Sequence, residues 1–310
     1  MDNAIVANRE SFKGVKETVE FLHEGEMIRG VFFRPADVEG LLPTVVLGNG
    51  WGMVATGGDM EDYAAVVANR GFGVLVFDYR GLGLSDGLPR QEIDPFKQVD
   101  DFRAAISYVR SRADVDRERI GIWGTSYGGG HALVVAALDK RVKCVVSQVP
   151  TISGFRAAQR RAPHEKAKAL QAQFEADREA RFAGELPARL TTVSEDSQAA
   201  VVYPGRDSFD YMAGEGKRSP SWVNEVTLRS IELARAYEPG VYIKRIAPVP
   251  LLMIIANDDA LTPPDLQQEA FAEAYYPKEL RVVAGGHYSV YREHFKETSE
   301  AAAAWFNQYL

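Results

Sequence analysis

The sequence predicts an α/β protein: a mostly parallel, eight-stranded sheet flanked by helices, with a helical cap inserted after the fourth of its parallel strands. Short apolar runs alternate with longer amphipathic segments, and one long stretch breaks that rhythm. The first two strands are VKETVEFLHEG and EMIRGVFFRP, which alternate polar and apolar residues and meet at a turn on Gly25, so they are expected to open the sheet as an antiparallel pair. Then come TVVLGNG from Thr44, FGVLVFDY from Phe72, RIGIWG from Arg119, VKCVVSQV from Val142, PLLMIIA from Pro250 and ELRVVAG from Glu279. Near-continuous Val/Ile/Leu runs of this kind suit parallel strands covered on both faces.

Helices are expected between the strands. DYAAVVANRG ends at Gly71, a residue suited to a left-handed C-cap. Gln98 to Arg112 carries Val99, Phe102, Ile106 and Val109 on one face. Thr262-Pro263-Pro264-Asp265 reads as an N-cap with proline at the first helical position. The C-terminal helix turns Phe295, Ala302, Trp305, Phe306 and Leu310 toward the sheet. Residues 151–245 hold no strong buried strand. They read instead as Arg/Ala/Glu-rich helices, turns such as Tyr203-Pro204-Gly205, and a further helix near SWVNEVTLRSIELARAY. The expected division is a sheet core of residues 1–150 and 246–310 with a helical cap of residues 151–245, placed where ligands bind beyond the carboxyl ends of strands.

Bulk properties narrow the partners. The chain is 310 residues long, 46% hydrophobic and 25% charged, with a formal net charge of -7. The negative balance argues against nucleic acid or an anionic membrane surface. The one cysteine, Cys144, lies in an apolar run and reads as an inert core thiol in a reducing compartment. The N-terminal MDNAIVANRE lacks a signal-peptide pattern and no apolar run approaches 18 residues, so a cytoplasmic location is expected. No zinc-spaced cluster and no phosphate-cradling glycine loop with lysine occurs, so neither metal nor other cofactor is expected. The expected partner is a small-molecule substrate, with a homodimer left open.

The strongest chemical signal is Gly124-Thr125-Ser126-Tyr127-Gly128 between a strand and the helix GGGHALVVAAL. A sharp strand-to-helix turn would hold Ser126 in strained geometry, with its hydroxyl exposed and glycines beside it where a Cβ would clash. A serine hydroxyl needs a base. Of His23, His131, His164, His287 and His294, only His287 follows a glycine pair, Gly285-Gly286, directly after the last strand. His131, in the helix after Ser126, reads as a satisfied, partly buried residue. A carboxylate between Ser126 and His287 in the chain should orient the ring, and PLLMIIA ends in Asn257-Asp258-Asp259, so both aspartates are candidates. Backbone N–H donors for a developing oxyanion are expected from Tyr127 and from Trp51 in Gly48-Asn49-Gly50-Trp51-Gly52. Trp51, Phe209, Tyr211 and Trp222 are candidate substrate contacts. Asp78-Tyr79-Arg80-Gly81-Leu82-Gly83 with Ser85 reads as a charged structural brace.

In that order GNGWG, FDYRGLGLSDG, GTSYGG, NDDALTPP and GGHYSVY resemble the α/β-hydrolase superfamily over most of the chain. GLPRQEIDP, GTSYGGGHALV, VSQVPTISG and NEVTLRS resemble, more narrowly, a group related to dienelactone hydrolases and acyl-peptide-type hydrolases that includes fungal polyketide transferases and thiohydrolases. The resemblance implies Asp259, four residues before Pro263, as the acid. Asn49-Gly50 stands where many relatives have His-Gly. Since the donor there is backbone, activity is expected to survive, with different hydrogen bonding in the loop. The implied chemistry is a serine hydrolase acting on an ester, thioester or lactone through a covalent acyl-enzyme. A serine nucleophile argues against the haloalkane dehalogenase and soluble epoxide hydrolase reactions, which use aspartate. An acyltransferase, an amidase or peptidase, and a non-catalytic binding protein on the same scaffold are the alternatives.

Overall fold

The computed structural model describes residues 9–36, 38–161 and 164–310. The first eight residues, part of the stretch read for a targeting signal, and the side chain of His164 lie outside the described set. None of the described helices is long and apolar enough to cross a membrane.

Eight strands form one sheet: β1 (Gly14–His23), β2 (Glu26–Pro35), β3 (Leu42–Gly48), β4 (Gly73–Phe77), β5 (Val115–Thr125), β6 (Val142–Gln148), β9 (Leu251–Ala256) and β10 (Lys278–Val283). Their spatial order is β1-β2-β4-β3-β5-β6-β9-β10. β1 pairs antiparallel with β2, and β2 with β4; the remaining pairs are parallel. β4 and β9 are buried at every position, as strands covered on both faces require. β10 departs from the expected buried strand. It is the sheet edge, with Arg281 and Val282 exposed, because a terminal strand has a neighbour on one side only.

The covering helices are α1 (Asp59–Ala68), α2 (Pro95–Ser111), α3 (Tyr127–Leu138), α8 (Pro264–Glu273) and α9 (Phe295–Tyr309). Gly71 ends α1 at φ +96°, donating its N–H to Ala68. α2 begins three residues before the expected start, because the Asp94 carboxylate caps the Phe96 and Lys97 amides and Pro95 takes the first turn. α9 buries Phe295, Ala302, Trp305 and Phe306 as expected. The Thr262 cap is not formed. α8 starts at Pro264, with no side-chain cap, because the Thr262 hydroxyl is committed elsewhere.

Between β6 and β9 the chain forms α4 (Gly154–Arg161), α5 (His164–Phe182), α6 (Arg206–Arg218) and α7 (Leu228–Arg235). It also forms two three-residue strands, β7 (Arg189–Thr191) and β8 (Glu225–Thr227), which pair antiparallel and had no clear sequence signal. α6 is clamped to the start of α1. The Arg218 guanidinium meets Asp59, Asp62 and Glu215, and Glu215 accepts the Asp59 amide at 2.6 Å.

The loop after β4 is the structural brace read from the sequence, but its charges pair differently. Asp78 accepts the amides of Ala55 and Leu84, while burial pushes its carboxyl up to about 6. Arg80 reaches instead to α2, where Asp101, with a fully buried side chain, accepts both its Nε, at 2.6 Å, and its amide, at 2.9 Å. Removing one partner of a buried pair strands the other charge. Arg80→Met, which leaves the buried Asp101 carboxylate without its guanidinium, is therefore expected to cost about 3 kcal/mol or more of folding stability in chemical denaturation, whereas Arg80→Met with Asp101→Leu costs much less.

Candidate active site

The site is built on the turn from β5 to α3. Ser126 has φ +56° and ψ -116°, a conformation that L residues rarely adopt. Close packing holds it there. A Cβ at Gly124 would lie 1.9 Å from the Gly128 carbonyl oxygen, and one at Gly128 would lie 2.3 Å from that of Asn49. Both positions therefore admit only glycine. The Ser126 amide donates to Gln148 at 2.8 Å, and its carbonyl accepts the Thr151 amide at 3.0 Å. The hydroxyl is left at the N-terminus of α3.

His287 follows β10 on a loop in which Gly285 takes φ +99°. Its Nε2 lies 3.0 Å from Ser126 Oγ and its Nδ1 2.7 Å from Asp259 Oδ2. The carboxylate needs the proton on Nδ1, which leaves Nε2 free to accept the serine O–H. Asp259 is held from its other side by the amides of Leu261 and Thr262, each 2.8 Å from Oδ1, and by the Thr262 hydroxyl at 2.7 Å from Oδ2. Burial alone would raise its carboxyl, but the neighbouring imidazole and these donors outweigh burial and hold it below the ordinary value. Asp258 is exposed and its amide donates to Gly285. It is Asn257 whose side chain braces that turn, accepting the Gly285 amide. Of the two candidate aspartates, only Asp259 thus meets His287.

Thr262 was read from the sequence as a helix cap and not as part of the site. Its hydroxyl lies within 3.2 Å of His287 Nδ1 and 3.0 Å of the Val149 carbonyl. Val149 takes φ +38°, unusual for a β-branched residue, in the turn that wraps Ser126. A second unread group lies beneath: Thr125 Oγ1 pairs with the Tyr291 hydroxyl, and Gln148 reaches both Thr125 and Tyr63. Neither has a local signature, since each joins residues more than 20 positions apart.

The loop Gly48–Gly52 runs beside Ser126: a Cβ on Gly50 would lie 3.3 Å from that of the serine. Among the described residues, the Trp51 and Tyr127 amides donate to no protein acceptor. The indole packs edge-on against Tyr127, with centroids 5.0 Å apart. Asn49 donates to the Phe77 carbonyl at 3.1 Å, which anchors the loop.

His131 is fully, not partly, buried. Its Nδ1 lies 2.9 Å from the Tyr237 hydroxyl and its Nε2 2.9 Å from Gln98 Oε1, and burial pushes it down to about 3, so it stays neutral. Burial likewise raises the Cys144 thiol. His294 lies at the start of α9 beside Glu297.

Ser126, His287, Trp51 and Tyr127 open onto a cavity of about 760 Å³. Its far walls come from the segment between β6 and β9. Tyr211 lies on that wall and stacks on Tyr288, with centroids 4.4 Å apart. Phe209 and Trp222 do not line the cavity. α6 presents Tyr211, Met212 and Glu215 inward, and Phe209 sits off that stripe against the Arg206 guanidinium. Trp222 packs on α6 at Gly216, where a Cβ would meet its ring at 2.3 Å.

Comparison with known proteins agrees with this architecture. The profile of the alpha/beta hydrolase fold family matches residues 43–293. A thiohydrolase of Eupenicillium brefeldianum is 32% identical over 285 residues, covering 89% of this chain and 88% of that protein. Polyketide transferase claH of Penicillium crustosum is 29% identical, covering 88% and 91%. The crystal structure of hypothetical protein PA2218 from Pseudomonas aeruginosa superposes with a TM-score of 0.83 at 28% identity, covering 97% of this chain and 95% of that one. With this sheet order and this breadth of match, the chain belongs to the alpha/beta hydrolase fold family.

Proposed function

We propose that the protein is a serine hydrolase that cleaves a carboxylic ester, thioester or lactone through a covalent acyl-enzyme on Ser126. The observation that carries this reading is the hydrogen-bonded series Ser126–His287–Asp259 at 3.0 and 2.7 Å, opening onto the cavity. His287 Nε2 takes the Ser126 proton as Oγ attacks the acyl carbon. Asp259 stabilises the resulting imidazolium. The Trp51 and Tyr127 amides receive the oxyanion, with the N-terminus of α3 favouring the charge. The imidazolium then protonates the leaving thiol or alcohol. A water, deprotonated by His287, attacks the acyl-enzyme, and the acid product departs with Ser126 restored.

Residues 151–245 are read as a cap that shapes the acyl pocket, because α4 to α7 supply the walls facing Ser126. The relatives named thiohydrolase and polyketide transferase support a thioester among the substrates. The second of those names also favours a variant of the reaction in which an alcohol or amine replaces water. Products formed with and without added nucleophile separate the two outcomes.

Three outcomes are expected. Ser126→Ala should lower kcat on a panel of acyl esters and thioesters by at least about 10⁴-fold. Its circular dichroism should match wild type and its labelling by a fluorophosphonate should be abolished; near-wild-type turnover would overturn the nucleophile assignment. Asp259→Asn should cost up to about 10⁴-fold in kcat by favouring the wrong histidine tautomer, and Asp258→Asn little, as read from steady-state rates. The reverse ranking would move the acid role. Finally, Tyr211→Ala should change the ratio of kcat/KM between short and bulky acyl groups. The same change at Phe209 or Trp222 should leave that ratio within about twofold of wild type, since neither side chain lines the cavity.

A further inference from the structure

Two helices of the cap turn a similar stripe toward the cavity. α4 presents Ala157, Ala158 and Arg161, and α7 presents Ile231, Ala234 and Arg235. The small residues leave room, and each of these two stripes ends in a guanidinium. Ten arginines lie between Gly154 and Arg235, and eight of them meet a carboxylate within 4.0 Å, as Arg156 meets Glu269 and Arg229 meets Glu92. Among the described residues, the two without such a partner are Arg161 and Arg235, which are also the two that line the cavity. The carboxylates that line it, Asp59 and Glu215, are already held by Arg9 and Arg218. Among the described residues, the cavity-lining charges without an opposite partner are therefore these two guanidinium groups, in a chain whose net charge is -7.

Arg161 is exposed near the Tyr203 ring, 5.7 Å from its centroid, and Arg235 is half-buried. The two helices abut end to end: the Gly154 amide donates to the Tyr237 carbonyl at 2.8 Å, and a Cβ on Gly154 would lie 1.8 Å from the Ala234 carbonyl oxygen. While the cavity is filled with water, both guanidinium groups are solvated. An apolar acyl donor displaces that water and strips solvent from a charge, which is unfavourable unless the donor supplies a counter-charge.

Resting on the acyl-enzyme reading above, we propose that the cavity selects an acyl donor bearing an anionic group, received by Arg161 and Arg235. The anion could be a carboxylate on the acyl chain or a phosphate on the leaving-group arm, since both bind guanidinium through charged, often bidentate, hydrogen bonds.

The test compares three thioesters of one acyl length. The first is a neutral N-acetylcysteamine thioester, the second the same with a terminal carboxylate on the acyl chain, and the third the neutral acyl group on phosphopantetheine. At low ionic strength, wild type should favour one charged thioester over the neutral one by about tenfold in kcat/KM. Preference for the second assigns a carboxylate and preference for the third a phosphate. The preference should fall toward unity in Arg161→Gln/Arg235→Gln and return largely in the corresponding lysine variants, with circular dichroism confirming folding. Equal kcat/KM for all three thioesters, or a preference that persists in the doubly substituted protein, overturns the proposal. Turnover of the neutral thioester separates this failure from that of the hydrolase reading: Ser126-dependent turnover without charge preference sinks the anion site alone, whereas no turnover of any thioester or ester sinks both.

Discussion

The backbone of Ser126 sits at φ +56°, ψ -116°, and the rest of the site depends on that single strained residue. A conformation of this kind costs on the order of 1–3 kcal/mol and persists only where its surroundings over-determine it. Here β5 enters the turn and α3 leaves it so tightly that the backbone of Gly128 touches Gly124 on one side and Asn49 on the other. The same crowding brings the loop after β3 beside Ser126. One packing constraint thus places the hydroxyl, the start of α3 and the Trp51 loop together, with no need for flexible side chains to converge.

A second restraint orients the histidine. Asp259 is buried with four donors around it, two amides, one hydroxyl and the imidazole. Its charge is therefore maintained at a place where burial by itself would favour the neutral acid. Thr262 ties this carboxylate to the Val149 carbonyl, and through it to the turn that also accepts and donates around Ser126. The strand ends of β5, β6 and β9 consequently behave as one rigid rim. Opposite this rim, the helices between β6 and β9 contribute small side chains and charges. The Ser126–His287–Asp259 series is held by the sheet, and the far walls of the cavity are held by the insert.

How much of this can be read from the chain depends on the distance over which each signal acts. Ser126 and His287 were legible because their context is local: strand, glycine-flanked serine, helix in one case, and a glycine pair after a strand in the other. Asp259 was legible only as one of two adjacent aspartates, and family spacing separated them. In the structure the choice rests on which carboxylate is buried. The Thr262 hydroxyl read as a helix cap because Thr-Pro-Pro-Asp is a local pattern. The long-range contacts to Asp259 and Val149 overrode it, since a buried acceptor draws a donor more strongly than an exposed helix end does. Arg80 was seen as a buried charge, but not that its partner is Asp101 on α2.

By itself the sequence determined the strand and helix alternation, the glycines that a strained serine needs, and a serine–histidine pair in chain order with an acid between them. Those features follow from periodicity and from backbone sterics within a few residues. Tertiary structure alone decided that β10 is an exposed edge, that Tyr211 and not Phe209 or Trp222 faces the cavity, and that Arg161 and Arg235 lack, among the described residues, the carboxylate partners of their neighbours. Aromatic residues in a helical insert look alike in one dimension. Which of them faces the cavity depends on how each helix is rotated about its axis, and that rotation is set by contacts such as Gly216 against Trp222 and Gly154 against Ala234, between segments that carry no mark of each other in the chain.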